Sequence, residues 1–162
     1  MSLTVEDLVS QFSLLPHPEG GFYRETYRSE LAAVPPNGSA ERNYSTAIYF
    51  LLTEGNFSAF HRIKSDEVWH HYTGASIVVH IIDQDGNYRQ IKLGKAFELG
   101  EVPQAVVKAG EWFASEAIGE FGLVGCTVSP GFDFADFVLA ERAVLISQFP
   151  QHKKIIERLT RI

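Results

Sequence analysis

His61, Glu67, His70 and His71 all fall between Gly55 and Gly74, which puts three of the six histidines beside a carboxylate in one short segment. An imidazole and a carboxylate at close quarters do one of two kinds of chemistry. They hold a divalent ion through neutral nitrogen and charged oxygen, or they pass a proton, the carboxylate fixing the ring tautomer. In the second reading His61 is the general base, Glu67 its partner, and Tyr49 or Tyr72 the opposing acid. Equally, Glu67 pairs with Arg24, Arg62 or Lys64 and only organises a strand; the residues leave both readings open. If Glu67 points inward, period-two alternation places Trp69 and His71 on its face and turns Val68, His70 and Tyr72 away. His71 is then expected to line a pocket and, if a divalent metal is present at low occupancy, to join His61 and Glu67 as its third ligand. His80, inside the apolar run Ile77–Ile82, reads as a satisfied core histidine; His17 and His152 show no partner and receive no role.

Composition narrows the function classes. The chain has 162 residues, enough for one domain that buries about 70% of its unfolded surface without staples. A formal charge of -6 with scattered basic residues argues against nucleic-acid binding, which needs clustered Lys and Arg to neutralise phosphates. The one basic cluster, Lys153, Lys154, Arg158 and Arg161, reads as a solvated helix face. Cys126 is the single cysteine, so no internal disulfide forms, and its apolar surroundings Leu123–Val128 make it a buried strand thiol. The N-terminus lacks the basic and apolar regions of a signal peptide, and no apolar run reaches membrane-spanning length, so a cytoplasmic location is expected.

The elements that must position these residues are mostly short strands. Thr4 followed by Asp7, with Val5, Leu8, Val9 and Phe12 at helical spacing, predicts a short N-terminal helix. From Phe22 the period changes to two, with Phe22, Arg24 and Thr26 on one face and Tyr23, Glu25 and Tyr27 on the other. The stretch Val34–Ser39 reads as a loop before a strand over Ser45–Leu52. From there to Val128, β-rich runs alternate with glycine turns, which predicts an antiparallel sandwich or barrel. Asp83–Asn87 is the best hairpin turn, between Ile77–Ile82 and Tyr88–Leu93. After the aromatic and acidic segment Phe132–Ala140, two short helices are expected over Glu141–Phe149 and Gln151–Leu159, broken at Pro150.

The spacing of Gly55, His61, Ile63, Glu67 and Gly74 resembles the first motif of the cupin superfamily, with Ile63 where metal-binding members carry a second histidine. The counterpart of the second motif is Lys108–Ala117, where Phe113 replaces the last histidine and Ala117 the asparagine. Three further stretches, His17–Thr26, Ser65–His70 and Gly125–Phe137, are similar to the uncharacterised family known as cupin type five, over about Val5 to Ala140. The resemblance implies a mainly β, single-domain jelly roll, the cupin double-stranded β-helix, spanning 1–162 with a barrel core at about 20–140. It also implies a homodimer formed by strand exchange or edge pairing. The family has no assigned reaction; its relatives by fold include metal-free nucleotide-sugar epimerases with a histidine base, and storage and hormone-binding proteins.

The resemblance carries over Arg24, His61, Glu67, Trp69 and the Gly125–Thr127 strand. The expected pocket is lined by His61, Glu67, Trp69, His71, Phe113 and Thr127, with the Arg24 guanidinium at its mouth for an anionic ligand. Two chelating positions of four remain, so no metal or other cofactor is expected. The leading reading is a metal-independent small-molecule site, isomerase- or epimerase-like with His61 as base, for a sugar-like or carboxylated metabolite. The alternatives are a non-catalytic metabolite-binding protein and a weakly metal-dependent cupin enzyme. Asp133 and Asp136, after the Pro130-Gly131 turn, are expected to close the end of the barrel.

Overall fold

The computed structural model describes residues 3–36, 38 and 40–162, so the loop expected over 34–39 lies partly outside the described residues. In chain order the elements are α1 (Val5–Phe12), β1 (Leu15–Pro16), β2 (Phe22–Arg28), β3 (Ala32–Ala33), β4 (Arg42–Asn43), β5 (Thr46–Thr53), β6 (Phe57–Arg62), β7 (Asp66–Gly74) and β8 (Ile77–Ile82). There follow β9 (Tyr88–Leu93), β10 (Gln104–Val107), β11 (Trp112–Ala117), β12 (Phe121–Ser129), β13 (Val138–Leu139), α2 (Arg142–Gln148) and α3 (Lys153–Arg158). One sheet runs β1-β2-β5-β12-β7-β10 and the other β13-β6-β11-β8-β9, with β3 and β4 paired separately. All strand pairs within the two large sheets are antiparallel. The sheets form the two layers of a jelly roll, each hydrogen-bonded within itself rather than joined into one continuous barrel.

Alternation sorts the side chains into three apolar layers. Phe50, Leu52, Ile63, Trp69, Ile77, Val79, Ile81, Phe113, Val124 and Cys126 are among those that fill the space between the sheets. Phe60, Ile82, Trp112 and Ala114 face the other way and bury Leu145, Ile156 and Leu159 of the C-terminal segment. Leu51 and Leu123 do the same on the outer face of the first sheet, against Leu8 and Leu14. Burying one such side chain contributes about 1.5–3 kcal/mol, so each short helix is held by its docked face rather than by its own propensity.

The local signals in the sequence are met in the backbone. The Thr4 hydroxyl accepts from the Asp7 N–H at 3.1 Å and the Asp7 carboxylate accepts from the Thr4 N–H at 3.0 Å, a complete capping box. Asp83 Oδ1 accepts from the amides of Asp85 and Asn87 and so ties the β8–β9 hairpin. Pro150 opens a 3₁₀ turn, Pro150–His152, that separates α2 from α3. The basic cluster does more than expected. All four of its residues are exposed, as a solvated face requires, but Arg158 also pairs bidentately with Glu116 at 2.6 and 2.7 Å and Arg161 donates to the carbonyls of Glu19 and Phe57, so two of them fasten the C-terminus to the body of the fold as well. Among the described residues no helix is long and apolar enough to cross a membrane.

Candidate functional site

One cavity of about 340 Å³ opens between the sheets, and His61, Ile63, Glu67, Cys126 and Val128 line it. His61 enters from β6 and Glu67 from β7, each on the inward side of its strand. Two residues that sequence reasoning left without a role complete the inner end: His17 and Glu19, from the turn between β1 and β2. That turn is held by Gly20, whose φ is +115° and where an added Cβ would lie 2.0 Å from the Phe57 carbonyl oxygen. Only glycine accepts both constraints, and the consequence is that Glu19 is pressed against β6.

Glu19 Oε2 lies 3.2 Å from His61 Nε2, and Glu19 Oε1 lies 3.4 Å from His17 Nδ1. The first approach is close without hydrogen-bond alignment, so Glu19 Oε2 is buried with no hydrogen bond. The other ring nitrogen of His61, Nδ1, is 2.7 Å from the Ala59 carbonyl and must carry the hydrogen. Burial holds His61 neutral, pulling its pKa down to about 3, and likewise pulls His17 down to about 4. The same burial pushes Glu67 up to about 7, opposed by its contact with the Cys126 thiol. Glu19 is pushed well above the usual carboxylate range, first by burial and then by the charge of Glu67. Cys126 is likewise pushed up by burial and by Glu67, so it is an inert neighbour rather than a nucleophile.

The mouth is polar and aromatic. Glu25, Arg28 and Asp133 line it with Tyr23, Phe132, Phe134 and Phe137. Arg28 donates to Glu25 at 2.6 Å, to Asn43 Oδ1 at 2.8 Å and to the Phe132 carbonyl at 3.1 Å. Asp136 instead pairs with Arg42 at 2.8 and 3.0 Å and ties the Phe132–Ala140 segment to β4.

Several sequence expectations are redirected by this geometry. Arg24 lies on the outer face of β2 and donates to the Phe12 carbonyl of α1. Tyr23 and Glu25 face the cavity by alternation, and because the β2–β5 register shifts between Glu25 and Tyr27 the next inward residue is Arg28, which takes the place expected of Arg24. Glu67, Trp69 and His71 do share the buried face of β7. Trp69, however, sits deep in the core between Phe50 and Phe113, with ring centroids at 5.8 and 6.3 Å, and is not a cavity wall. His71 directs Nε2 to the Ala75 carbonyl at 3.0 Å, away from His61 and Glu67. Phe113 lies behind His61, centroids 4.1 Å apart, and supports the ring. Thr127 faces the other side of β12, where its hydroxyl lies 3.3 Å from His70 Nε2. Tyr49 and Tyr72 pack edge to face on that outer side, so neither opposes His61. His80 is satisfied by Tyr88 at 2.7 Å and Glu116 at 3.0 Å.

The donor set does not fit the four-ligand metal site of metal-binding cupins. Ile63 and Phe113 occupy two ligand positions as buried apolar residues, and His71 points elsewhere. Among the described residues no three His, Cys, Asp or Glu side chains are grouped so as to hold a metal ion.

The sequence profile described as Cupin superfamily (DUF985) matches residues 6–140. The chain belongs to this family. This cupin is 32% identical to the uncharacterized protein YML079W of Saccharomyces cerevisiae over 148 residues, 82% of this chain and 73% of the yeast protein. Among solved structures it is similar to a hypothetical protein from Leishmania major, with TM-score 0.93 and 34% identity over 99% of this chain and 100% of that one. It is also similar to protein SO0799 from Shewanella oneidensis, with TM-score 0.91 and 40% identity over 99% of each chain. Oxalate decarboxylase from Bacillus subtilis shares the fold at TM-score 0.57 and 17% identity, over 89% of this chain and 36% of that one. At that identity the likeness concerns the cupin fold alone.

Proposed function

We propose that this cupin binds a small metabolite in the cavity between its sheets and moves a proton on it without a metal ion, in an isomerase- or epimerase-like reaction. The observation that carries the reading is the meeting of Glu67, Glu19 and His61 in one buried cavity. A carboxyl with a pKa of about 7 is balanced to accept a proton at neutral pH. Glu19, kept protonated by burial, is the complementary donor, with His61 Nε2 beside it at 3.2 Å. In the reaction Glu67 takes a proton from carbon next to a carbonyl, Glu19 supplies one to the substrate, and solvent resets both. This moves the base from His61, whose buried ring is a weak proton acceptor, to Glu67.

The test is solvent exchange. Exhaustively chelated, untagged protein is incubated in D2O with a metabolite mixture, and carbon-bound deuterium is read by mass spectrometry. Incorporation that survives chelation, disappears in Glu67→Gln and falls strongly in His61→Ala is the expected result. Unchanged incorporation in both variants, or a requirement for a stoichiometric metal, overturns it.

The low basicity of His61 also favours a second reading, a non-catalytic metabolite carrier. There His61→Gln shifts affinity for a bound metabolite while no exchange or turnover occurs. The homodimer and the cytoplasmic location expected from the sequence belong to the same proposal; light scattering of the purified protein tests the first.

A further inference from the structure

We propose that the inner end of the cavity is built for the positively charged head of a small organic molecule, an ammonium or guanidinium, and excludes carboxylates and phosphates. The inference rests on the reading of this cavity as a ligand site and adds the charge class of the ligand.

Glu19 and Glu67 are 6% and 8% exposed, and both line the same cavity. Among the described residues no buried Lys or Arg lines it to balance them. Among the described residues the only cationic side chain in the lining is Arg28, at the half-exposed mouth, already committed to Glu25, Asn43 and the Phe132 carbonyl. The other groups facing the two carboxyls are His17 and His61, uncharged in the fold, the Cys126 thiol, and the buried Ser58 hydroxyl beside Glu19, none of which carries a positive charge. Glu25 and Asp133 add further negative charge at the mouth.

Two independent features point to a missing ligand group. Glu19 Oε2 has no hydrogen bond, although buried carboxyl oxygens in folded proteins are nearly always paired. Tyr23, Phe132 and Phe137 line the approach to the inner end, and aromatic rings are side chains on which a cation is attracted. A bound ammonium draws both carboxyls into their charged forms, displacing the proton that burial otherwise keeps on Glu19, and donates charge-assisted hydrogen bonds to them; a hydroxyl offers no charge to do so. An anionic head would meet two acids with no counter-charge beside it, and desolvating it there is costly. A volume of about 340 Å³ limits the ligand to a head group and a short carbon chain.

An isosteric series separates the possibilities: n-butylammonium, 1-butanol and butyrate, titrated into chelated full-length protein at neutral pH. Binding is read by calorimetry and by chemical-shift changes at Cys126 and Ile63. The expected order is amine over alcohol by about tenfold or more, with butyrate weakest. In Glu19→Gln and Glu67→Gln the amine loses that advantage while 1-butanol still binds, which shows that the cavity is still formed. Alcohol binding equal to or tighter than amine binding in the wild type overturns the charge assignment and leaves the cavity as a ligand site. Preference for butyrate overturns it as well. A divalent ion that excludes the amine at one equivalent reassigns the two carboxyls to a metal. If none of the three probes perturbs Cys126 or Ile63, the ligand-site reading falls together with this one.

Discussion

His61 Nε2 lies 3.2 Å from Glu19 Oε2 while Nδ1 of the same ring lies 2.7 Å from the Ala59 carbonyl. With the carbonyl requiring a donor, the neutral ring carries its hydrogen on Nδ1 and leaves Nε2 unprotonated beside Glu19. A protonated Glu19 is compatible with an unprotonated Nε2, and a protonated imidazole is not needed anywhere in the cavity.

The first prediction concerns that tautomer. In ¹⁵N-edited NMR, His61 is expected to show the Nδ1–H form and no titration between pH 5 and 8. Its pKa in the fold is about 3 against a usual 6.5, so acid favours the unfolded chain, which takes the proton first, and stability falls as pH drops through that window. A His61 resonance titrating near 6.5 contradicts the geometry.

Glu67 gives the opposite sign. Its pKa rises from 4.5 to about 7, so between these values the unfolded chain releases a proton that the fold retains, and stability falls as pH rises, levelling off above 7. Glu67→Gln removes that penalty. At pH 8 the variant is expected to be more stable than the wild type by up to about 3 kcal/mol, with the difference closing near pH 4. Urea titrations at the two pH values check it; a constant difference would mean Glu67 is not buried as an acid.

Restoring a chelating side chain is expected to restore metal affinity. Ile63 is buried and lines the cavity with His61 and Glu67, so Ile63→His adds a third donor. Calorimetry with Mn²⁺ or Ni²⁺ should show binding at least about tenfold tighter than in the wild type, since imidazole suits these ions. Equal affinity would show that position 63 does not face the same space as His61.

Phe113 is expected to matter for stability rather than for ligand contact. It is 1% exposed and packs on His61 and Trp69. Phe113→Ala should cost about 3–5 kcal/mol in urea melts, the range for a large core residue truncated. A loss below about 1 kcal/mol would place the ring at the cavity surface instead.

Much of this architecture is legible along the chain because its signals are local. The Thr4 and Asp7 capping box, the Asp83 turn with its two flanking strands and the break at Pro150 each depend on residues within a few positions of one another. The shared face of Glu67, Trp69 and His71 follows from strand alternation in the same way. Alternation in β2 leaves open which of its two faces turns inward; it is the Tyr23 and Glu25 side, which puts Arg24 outside, and a register shift after Glu25, invisible in residue types alone, then brings Arg28 rather than Tyr27 to the cavity. The direction of a strand face also does not say how deep it lies, which is why Trp69 and His71 are buried on the expected side yet stand away from the cavity.

The sequence by itself determined a jelly roll whose inner lining keeps His61 and Glu67 and sets Ile63 and Phe113 where other cupins carry ligands. Only the tertiary structure brought His17 and Glu19 to them, because the Gly20 backbone must pass against the Phe57 carbonyl for β2 to join its sheet. Alternation fixes which side of a strand a residue faces. Which distant turn closes over that side, and so whether a buried acid ends with a partner or with a free oxygen, is decided by how the two sheets pack and where the connecting chain can run.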